Sequence, residues 1–132
     1  MVNFRKFVLE SGREIFGGRD SANNDELVFA AKPNDVLIHS VLPGSPFINV
    51  GSEASKVDVK EAAIFCAKFS QAWRDSKRDV AVNVFRRCDM VKDKRMKEGS
   101  WRVGKEERVK VKKADILRLE ERLGEGDKLA RG

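Results

Sequence analysis

The segment that decides the fold is residues 17–45, which read GGRDSANNDELVFAAKPNDVLIHSVLPGS. Its two leading glycines end a predicted strand, Asp20 or Ser21 can cap a short helix near residues 22–32, and Pro33 stops that helix. A continuous apolar run over residues 36–38 predicts a buried strand that ends at His39, the sole histidine of the chain. Turn formers and charged groups at this density indicate a surface that holds a ligand.

The flanking residues predict two hairpins. Apolar residues alternate with polar ones on either side of a glycine-containing turn over residues 5–16, which is typical of a β-hairpin. Downstream of the Pro-Gly-Ser turn, the run over residues 47–50 is the expected hairpin partner of residues 36–38.

The rest of the chain predicts one long helix, two further strands and a last helix. Apolar side chains recur at spacings of three and four over residues 58–76, and Asp58 with Glu61 forms a capping box at its start. Residues 79–86 indicate a buried central strand, residues 108–112 a strand with cations on its outer face, and residues 114–123 an amphipathic helix. That outer row of cations is either a phosphate rail or a protected sheet edge.

Together these elements predict an α+β domain with a mixed, largely antiparallel sheet of short hairpins. One long central helix, about residues 58–76, is expected to cover the sheet, with short helices near residues 22–32 and 114–123. We expect residues 1–124 to form a single domain and residues 125–132 to form a flexible tail.

Composition argues against several function classes. The 132 residues include no apolar run long enough to span a membrane and no signal peptide, so a cytoplasmic protein is expected. One histidine and two cysteines, Cys66 and Cys88, are too few soft ligands for a structural zinc site; the cysteines are expected to be buried thiols, with a disulfide as the alternative. No phosphate-cradling loop or nucleophile and base pair is present, so neither a cofactor nor catalysis is expected.

The positive charge is concentrated in the middle of the chain. The net charge is +6, yet residues 68–113 contain 16 Lys and Arg against 7 Asp and Glu, while both flanking segments are slightly acidic. A local positive field of this kind favours a phosphate-rich partner. The candidate phosphate contacts in this segment are Arg87, Lys92, Lys94, Arg95, Lys97, Arg102, Arg108 and Lys110. Trp101 stands beside them and either stacks on a base or anchors the loop in the core.

Several blocks of the sequence resemble one family. The order Gly-Arg-Asp at residues 18–20, Asn-Asp at 24–25, the strand ending at His39, Pro-Gly-Ser at 43–45, a central helix with Ser-Gln-Ala-Trp at 70–73, and Met-Lys-Glu-Gly-Ser-Trp at 96–101 resembles the NFACT-R domain. The chain has Leu37 and Ile38 where many relatives have Trp-Phe, and Pro46 where they have histidine, so it lacks their aromatic residues there.

The resemblance implies an RNA-binding module without chemistry of its own, acting in translation, ribosome quality control or tRNA metabolism. Structured RNA, such as tRNA or ribosomal RNA, is the implied partner, with the large ribosomal subunit or an RNA-modification enzyme as further partners. The peptide-tailing activity of the long relatives is not expected of a free-standing domain. Residues 18–45, from the Gly-Arg-Asp block to the Pro-Gly-Ser block, are called the signature below. Within the signature, Arg19, Asn24 and His39 are the candidate RNA contacts.

Structural roles compete with these contacts. Arg19 binds phosphate or pairs with Asp20, Asn24 caps or stabilises a turn, and His39 is a hydrogen-bonded strand end or a ligand contact. Three alternative functions stay open: a DNA-binding module, a scaffold that docks on a ribosome-associated or RNA-modification complex, and a nuclease using Asp20, Asp35 and His39.

Overall fold

The fold of the described residues is α+β, as the sequence predicts. The computed structural model describes residues 3–124, and residues 125–132, predicted as a tail, lie outside them. The strands within this range are β1 (Arg5–Val8), β2 (Glu14–Gly17), β3 (Val36–Ser40), β4 (Ile48–Gly51), β5 (Val80–Arg86), β6 (Met90–Val91), β7 (Arg102–Val103) and β8 (Glu107–Val111). The helices are α1 (Ser21–Ala30), α2 (Lys56–Lys68), α3 (Gln71–Ser76) and α4 (Lys113–Arg122), with a 3-10 turn at Arg87–Asp89.

Six strands form one sheet in the order β1-β2-β4-β3-β5-β8, and every neighbouring pair is antiparallel. Both predicted hairpins are present, with Lys6 opposite Phe16 in one and Ile38 opposite Ile48 in the other. The basic strand β8 is an edge strand, and β5 lies between β3 and β8 as a central strand. Strands β6 and β7 form a separate two-stranded hairpin.

The sheet has two apolar faces because side chains alternate along each strand. On the first face, α2 and α4 pack on residues that include Ile38 and Val82. On the second face, α1 and the β6–β7 hairpin pack on residues that include Leu37 and Phe85. β5 therefore contributes Val82 to the first core and Phe85 to the second, which explains why most of its residues are apolar.

The predicted long helix is two helices. Ser55, rather than Asp58, caps α2, since its Oγ accepts a hydrogen bond from the backbone N–H of Asp58 at 3.0 Å. Ser70 ends the run: its buried hydroxyl donates to the carbonyl of Ala67 at 2.6 Å and accepts from the N–H of Trp73, which caps α3. A serine that bonds to the backbone in this way competes with helix propagation. The apolar periodicity continues across the break, which hides the break in the sequence.

The two shorter helices correspond to the predicted ones. Asp20 caps α1, with its Oδ1 accepting from the N–H of Asn23 at 2.8 Å, and α4 occupies the predicted C-terminal position. Within residues 3–124, no helix is both long and apolar enough to cross a membrane.

The cysteines differ from the prediction of two buried thiols. Cys66 is buried in the core of the first face, whereas Cys88 is exposed, and both are free. Burial raises the pKa of the Cys66 thiol to about 12, which makes that thiol unreactive.

Candidate nucleic-acid interface

The signature residues meet at one cleft. This cleft, which we call the first cleft, measures about 320 Å³. It is lined by Arg19 just before α1, by Asn24 within α1, by His39 from β3, and by the turn residues 44–46. Gly99 and Ser100 from the basic middle segment complete the lining. Residues that are more than 80 positions apart therefore form one concave surface, and the blocks that define the resemblance are neighbours in space.

Gly18 and Asn24 build the wall of this cleft. A Cβ at Gly18 would lie 1.9 Å from Asn24 Oδ1, so the backbone and this amide are in closest contact. Asn24 Oδ1 accepts from the N–H of Phe47 at 2.9 Å, and the N–H of Gly18 donates to the Phe47 carbonyl at 3.1 Å. Asn24 is only 8% exposed, so its place in the structure is that of a buried linker between α1 and the segment leading into β4.

Arginines line the opening of the first cleft. Arg19 is exposed, and its side chain has no ion pair or hydrogen bond within residues 3–124; Asp20 caps α1 instead of pairing with it. Arg5 and Arg74 line the same cleft, with the Arg5 guanidinium 5.0 Å from the ring centroid of Phe69. Sequence reasoning missed Arg5 and Arg74, because they lie on β1 and α3 and only the fold brings them to the signature.

His39 separates the first cleft from a second one. Its ring packs on Phe47 with centroids 4.4 Å apart, and its Nδ1 donates to the carbonyl of Ser40 at 2.8 Å. Burial lowers the pKa of His39, and the carbonyls of Ser40 and Ser45 oppose that effect without reversing it. The imidazole is therefore neutral at physiological pH.

We expect His39 to give the protein a distinct pH dependence of stability. Its folded pKa lies below the ordinary value of 6.5, so as the pH falls the unfolded chain takes up a proton first. The contribution of His39 to the free energy of unfolding should be complete above about pH 6.5 and should decrease at lower pH. Asp25, Asp35 and Asp58, whose pKa values are lowered from 3.8, should add their own loss only at more acidic pH.

Urea unfolding at several pH values measures this effect. The decline just below pH 6.5 should be absent from His39→Gln and present in the wild type. The same decline in both proteins would show that His39 is not its source.

A polar row crosses the second face beside His39. In register, His39 on β3 lies opposite Asn83 on β5, and Asn83 lies opposite Arg108 on β8. Residues directly opposite on neighbouring strands point to the same side of a sheet, so these three side chains share one face. Lys110, two residues after Arg108 in the edge strand, also lies on this face. The row joins the signature to the basic strand.

The second cleft lies along this row. It measures about 310 Å³ and is lined by side chains that include His39, Asn83, Trp101 and Glu106. It shares His39, Gly99 and Ser100 with the first cleft, so the two clefts are adjacent. We call the two clefts, together with Arg108 and Lys110, the signature face.

Asp25 fixes the basic loop to α1. Its carboxylate accepts from the Lys92 ammonium at 3.1 Å, from the N–H of Gly99 at 3.0 Å and from the Trp101 indole at 2.9 Å. Burial raises the pKa of Asp25, but these hydrogen bonds outweigh it and hold the pKa below its ordinary value. Lys92 also donates to the carbonyls of Lys97 and Ser100. Its charge is thus engaged inside the protein.

Arg87 and Trp101 belong to the same anchored cluster. Arg87 Nε donates to the carbonyl of Val28 at 2.7 Å, and the guanidinium lies 5.0 Å from the ring centroid of Trp101. The Lys92 ammonium is 5.2 Å from that centroid, and the exposed Phe29 packs edge-on at 5.1 Å. Through these contacts Trp101 anchors the basic loop to α1, and the rest of its surface lines the second cleft.

The other predicted cations are accessible. Arg102 forms an exposed ion pair with Asp93 at 3.8 Å, which is of the weak surface kind. The remaining predicted phosphate contacts, Lys94, Arg95, Lys97, Arg108 and Lys110, are all exposed.

The acidic residues of the nuclease alternative are used in the fold. Asp35 accepts from Ser52 Oγ at 2.7 Å and from Asn49 Nδ2 at 3.2 Å, and it lines neither cleft, whereas Asp20 caps α1. The part of the chain from 3 to 124 contains no cluster of three His, Cys, Asp or Glu side chains that could hold a metal ion.

Comparison with known proteins gives one family and one related fold. The model of the NFACT protein RNA binding domain matches residues 3–105 of the 132. A comparison with curated proteins found no match. A solved structure, the C-terminal part of the fibronectin/fibrinogen-binding protein from Streptococcus suis, superposes with a TM-score of 0.74 at 24% identity, over 83% of this chain and 45% of that one. The chain thus spans less than half of that structure, and the likeness shows a shared fold.

The matched family is one of RNA-binding domains rather than catalytic ones. Its model covers the sheet as far as β5, helices α1 to α3, the anchored loop and both clefts up to residue 105. The chain belongs to the NFACT RNA-binding domain family.

Proposed function

We propose that this protein is a cytoplasmic RNA-binding module that holds structured RNA, such as tRNA or ribosomal RNA, on the signature face. The main support for this proposal is the register of His39, Asn83 and Arg108. Because these three residues lie opposite one another on neighbouring strands, the signature and the basic strand β8 share one face of the sheet. The family match supports RNA as the ligand class. A role in translation, ribosome quality control or tRNA metabolism is the cellular setting we propose for it.

The accessible cations supply the affinity. Lys94, Arg95 and Lys97 extend from the loop that Asp25 anchors, and Arg108 and Lys110 line the edge strand. Lysine and arginine contacts with phosphates release counterions, which makes binding steeply dependent on salt. Lys92 and Arg87 serve in this proposal to shape the loop, since their charged groups already have partners in the protein.

Arg19 supplies a contact of a different kind. It stands at the start of α1, where backbone N–H groups also favour an anion, and Arg5 and Arg74 line the same cleft. Arg74 already donates to the Phe69 carbonyl and to Gln71 Oε1, so the guanidinium of Arg19 is the group proposed to bind a phosphate through two parallel N–H bonds. The first cleft is therefore the proposed place for a specific phosphate, and the loop gives general attraction.

A charge-matched pair of variants tests the loop. Lys94→Gln with Lys97→Gln should weaken binding of a stem–loop RNA at low salt and reduce the slope of log affinity against log salt by roughly one unit per lysine. Lys56→Gln with Lys60→Gln removes the same charge from α2, which packs on the first face, and should leave the slope nearly unchanged. Equal effects of the two double variants would contradict the assignment.

The same binding experiment can test the two alternative partners, DNA and a protein. A DNA stem–loop of the same sequence should bind more weakly than the RNA, and tighter DNA binding would favour the DNA-binding alternative. A partner that stays bound after nuclease treatment would favour the docking scaffold.

A further inference from the structure

A groove on the first face of the sheet is larger than either cleft of the signature face. Its volume is about 630 Å³, against about 320 and 310 Å³ for the two clefts. Strands β3, β5 and β8 form its floor, and α2 with the start of α4 forms its wall. We call it the first-face groove; its aliphatic lining includes Val36, Val59, Ala63, Ile64, Val84 and Val109.

The aliphatic side chains of the first-face groove are only partly covered. Val84 and Val109 are half-buried, whereas Val82, on the same face of β5 and directly opposite Val109, is fully buried. Val59 and Ile64 on α2 are half-buried as well. The apolar face of a sheet is stable when another element of secondary structure covers it. Helices α2 and α4 therefore leave part of this face, over β5 and β8, without such a cover.

Three cations border the same groove. Lys56 and Lys60 are four residues apart on α2 and so lie on one side of that helix, and Arg86 stands at the end of β5. All three are exposed, and none has an ion pair or a side-chain hydrogen bond with any other residue of the described range 3–124. Aliphatic surface and unpaired positive charge therefore adjoin.

The carboxylates of the groove do not cancel this charge. Asp115 lines the groove at the start of α4, but it is already paired with Arg118. Glu107 is the other acid, and it leaves the three cations in excess. Opposite charges across an interface favour encounter and fix the register of the partners. The groove is therefore complementary to a partner that combines aliphatic and acidic side chains.

We infer that the first-face groove docks an amphipathic helix of a partner protein, with an aliphatic stripe on the groove floor and acidic residues beside the cations. A helix laid next to α2 would complete the helical layer on this face of the sheet. Recognition of this kind uses apolar residues spaced three and four apart along one stripe of the helix. An RNA backbone would leave the aliphatic floor unburied, so the groove suits a protein segment better than a nucleic acid.

The inference goes beyond the proposed RNA binding. The first-face groove lies on the side of the sheet that α2 and α4 cover, whereas His39, Asn83 and Arg108 lie on the other side. The two sites share neither Val59 nor Lys60, so each can be changed alone. The protein would then hold RNA on one face and a protein partner on the opposite face.

Two synthetic helical peptides of about 18 residues test the inference. Both carry a stripe of leucines at spacings of three and four; glutamates flank the stripe in one peptide and lysines in the other. The glutamate peptide should shift the amides of Val59, Ala63, Val84 and Val109 in the labelled wild-type chain, and should leave Arg19 nearly unchanged. At low salt it should bind roughly tenfold more tightly than the lysine peptide.

Val59→Glu and Val57→Glu form a matched pair on α2. Val59 lines the groove, whereas Val57 is 73% exposed and does not line it. Val59→Glu places a carboxylate on the aliphatic lining, so it should weaken binding of the glutamate peptide at least about tenfold. Val57→Glu adds the same charge to the same helix and should stay within about threefold of the wild type. The peptide shifts in the wild-type chain locate the site even if Val59→Glu fails to fold.

Contrary results would overturn the inference in separate ways. Equal affinity for the two peptides would show that the groove does not select an acidic partner. Equal weakening by Val57→Glu and Val59→Glu, or peptide shifts outside the groove, would show that the helix docks elsewhere. Shifts of the groove amides by a stem–loop RNA, and not by the glutamate peptide, would assign the groove to RNA and refute the docking site.

Discussion

Replacing Gly18 with alanine should destabilise the protein by about 3 kcal/mol or more. The added Cβ would lie 1.9 Å from Asn24 Oδ1 and 2.9 Å from the Asn24 Cα, which belongs to the backbone of α1. Asn24 cannot move aside freely, because its Oδ1 is the acceptor for the buried N–H of Phe47. The substitution therefore combines overpacking with the loss of a buried hydrogen bond.

Gly104→Ala is the matched control for this variant. The nearest atom to a Cβ there is the Asp89 carbonyl oxygen at 3.7 Å, an ordinary contact, and the change should be close to neutral. Urea unfolding of both variants measures the difference. Equal midpoints for the two would show that the junction at Gly18 tolerates a side chain, and the close contact of Gly18 with Asn24 would not be a constraint on the fold.

Asp25→Asn should cost about 2–3 kcal/mol and should also weaken RNA binding. The carboxylate holds the Lys92 ammonium, the Gly99 N–H and the Trp101 indole together, and both members of the ion pair are mostly buried. Removing its charge leaves Lys92 with backbone carbonyls alone, and the neutral amide accepts fewer of the remaining hydrogen bonds. The basic loop should then lose its fixed position over the second cleft.

The neighbouring Glu26→Gln controls for charge. Glu26 is exposed and has no ion pair or side-chain hydrogen bond within residues 3–124, so its neutralisation adds the same charge without touching the loop. Its stability should stay within about 0.5 kcal/mol of the wild type. If Asp25→Asn and Glu26→Gln had the same effect on stability and on RNA affinity, the anchoring role of Asp25 would be refuted.

Local sequence signals predicted the elements of this fold well. The two hairpins and α1 follow from alternation, turn residues and a cap, and α4 follows from its amphipathic pattern; all of these signals act over a few residues. The break at Ser70 did not, because a serine that caps a helix and a serine on a helix face look alike in the sequence. The bonds of its hydroxyl are decided by the surrounding core, in which Ser70 is fully buried.

The site was predicted less completely, for two physical reasons. Charge counting cannot tell an accessible lysine from an engaged one, so Lys92 and Lys94 looked equivalent until the contacts of Asp25 were known. Register is the second reason: Asn83 lies within an apolar run, and only the pairing of β5 with β3 and β8 places it between His39 and Arg108. Strand order is a tertiary property that no single strand encodes.

RNA is expected to contact the signature face. An NMR titration of the isotopically labelled protein with a stem–loop RNA tests it residue by residue. The largest amide shifts should fall at Arg19, His39, Asn83, Arg108 and residues 94–100, while α2 and α4 stay nearly unchanged. Shifts concentrated on α2 and α4, with the signature face unaffected, would show that RNA binds elsewhere on the protein.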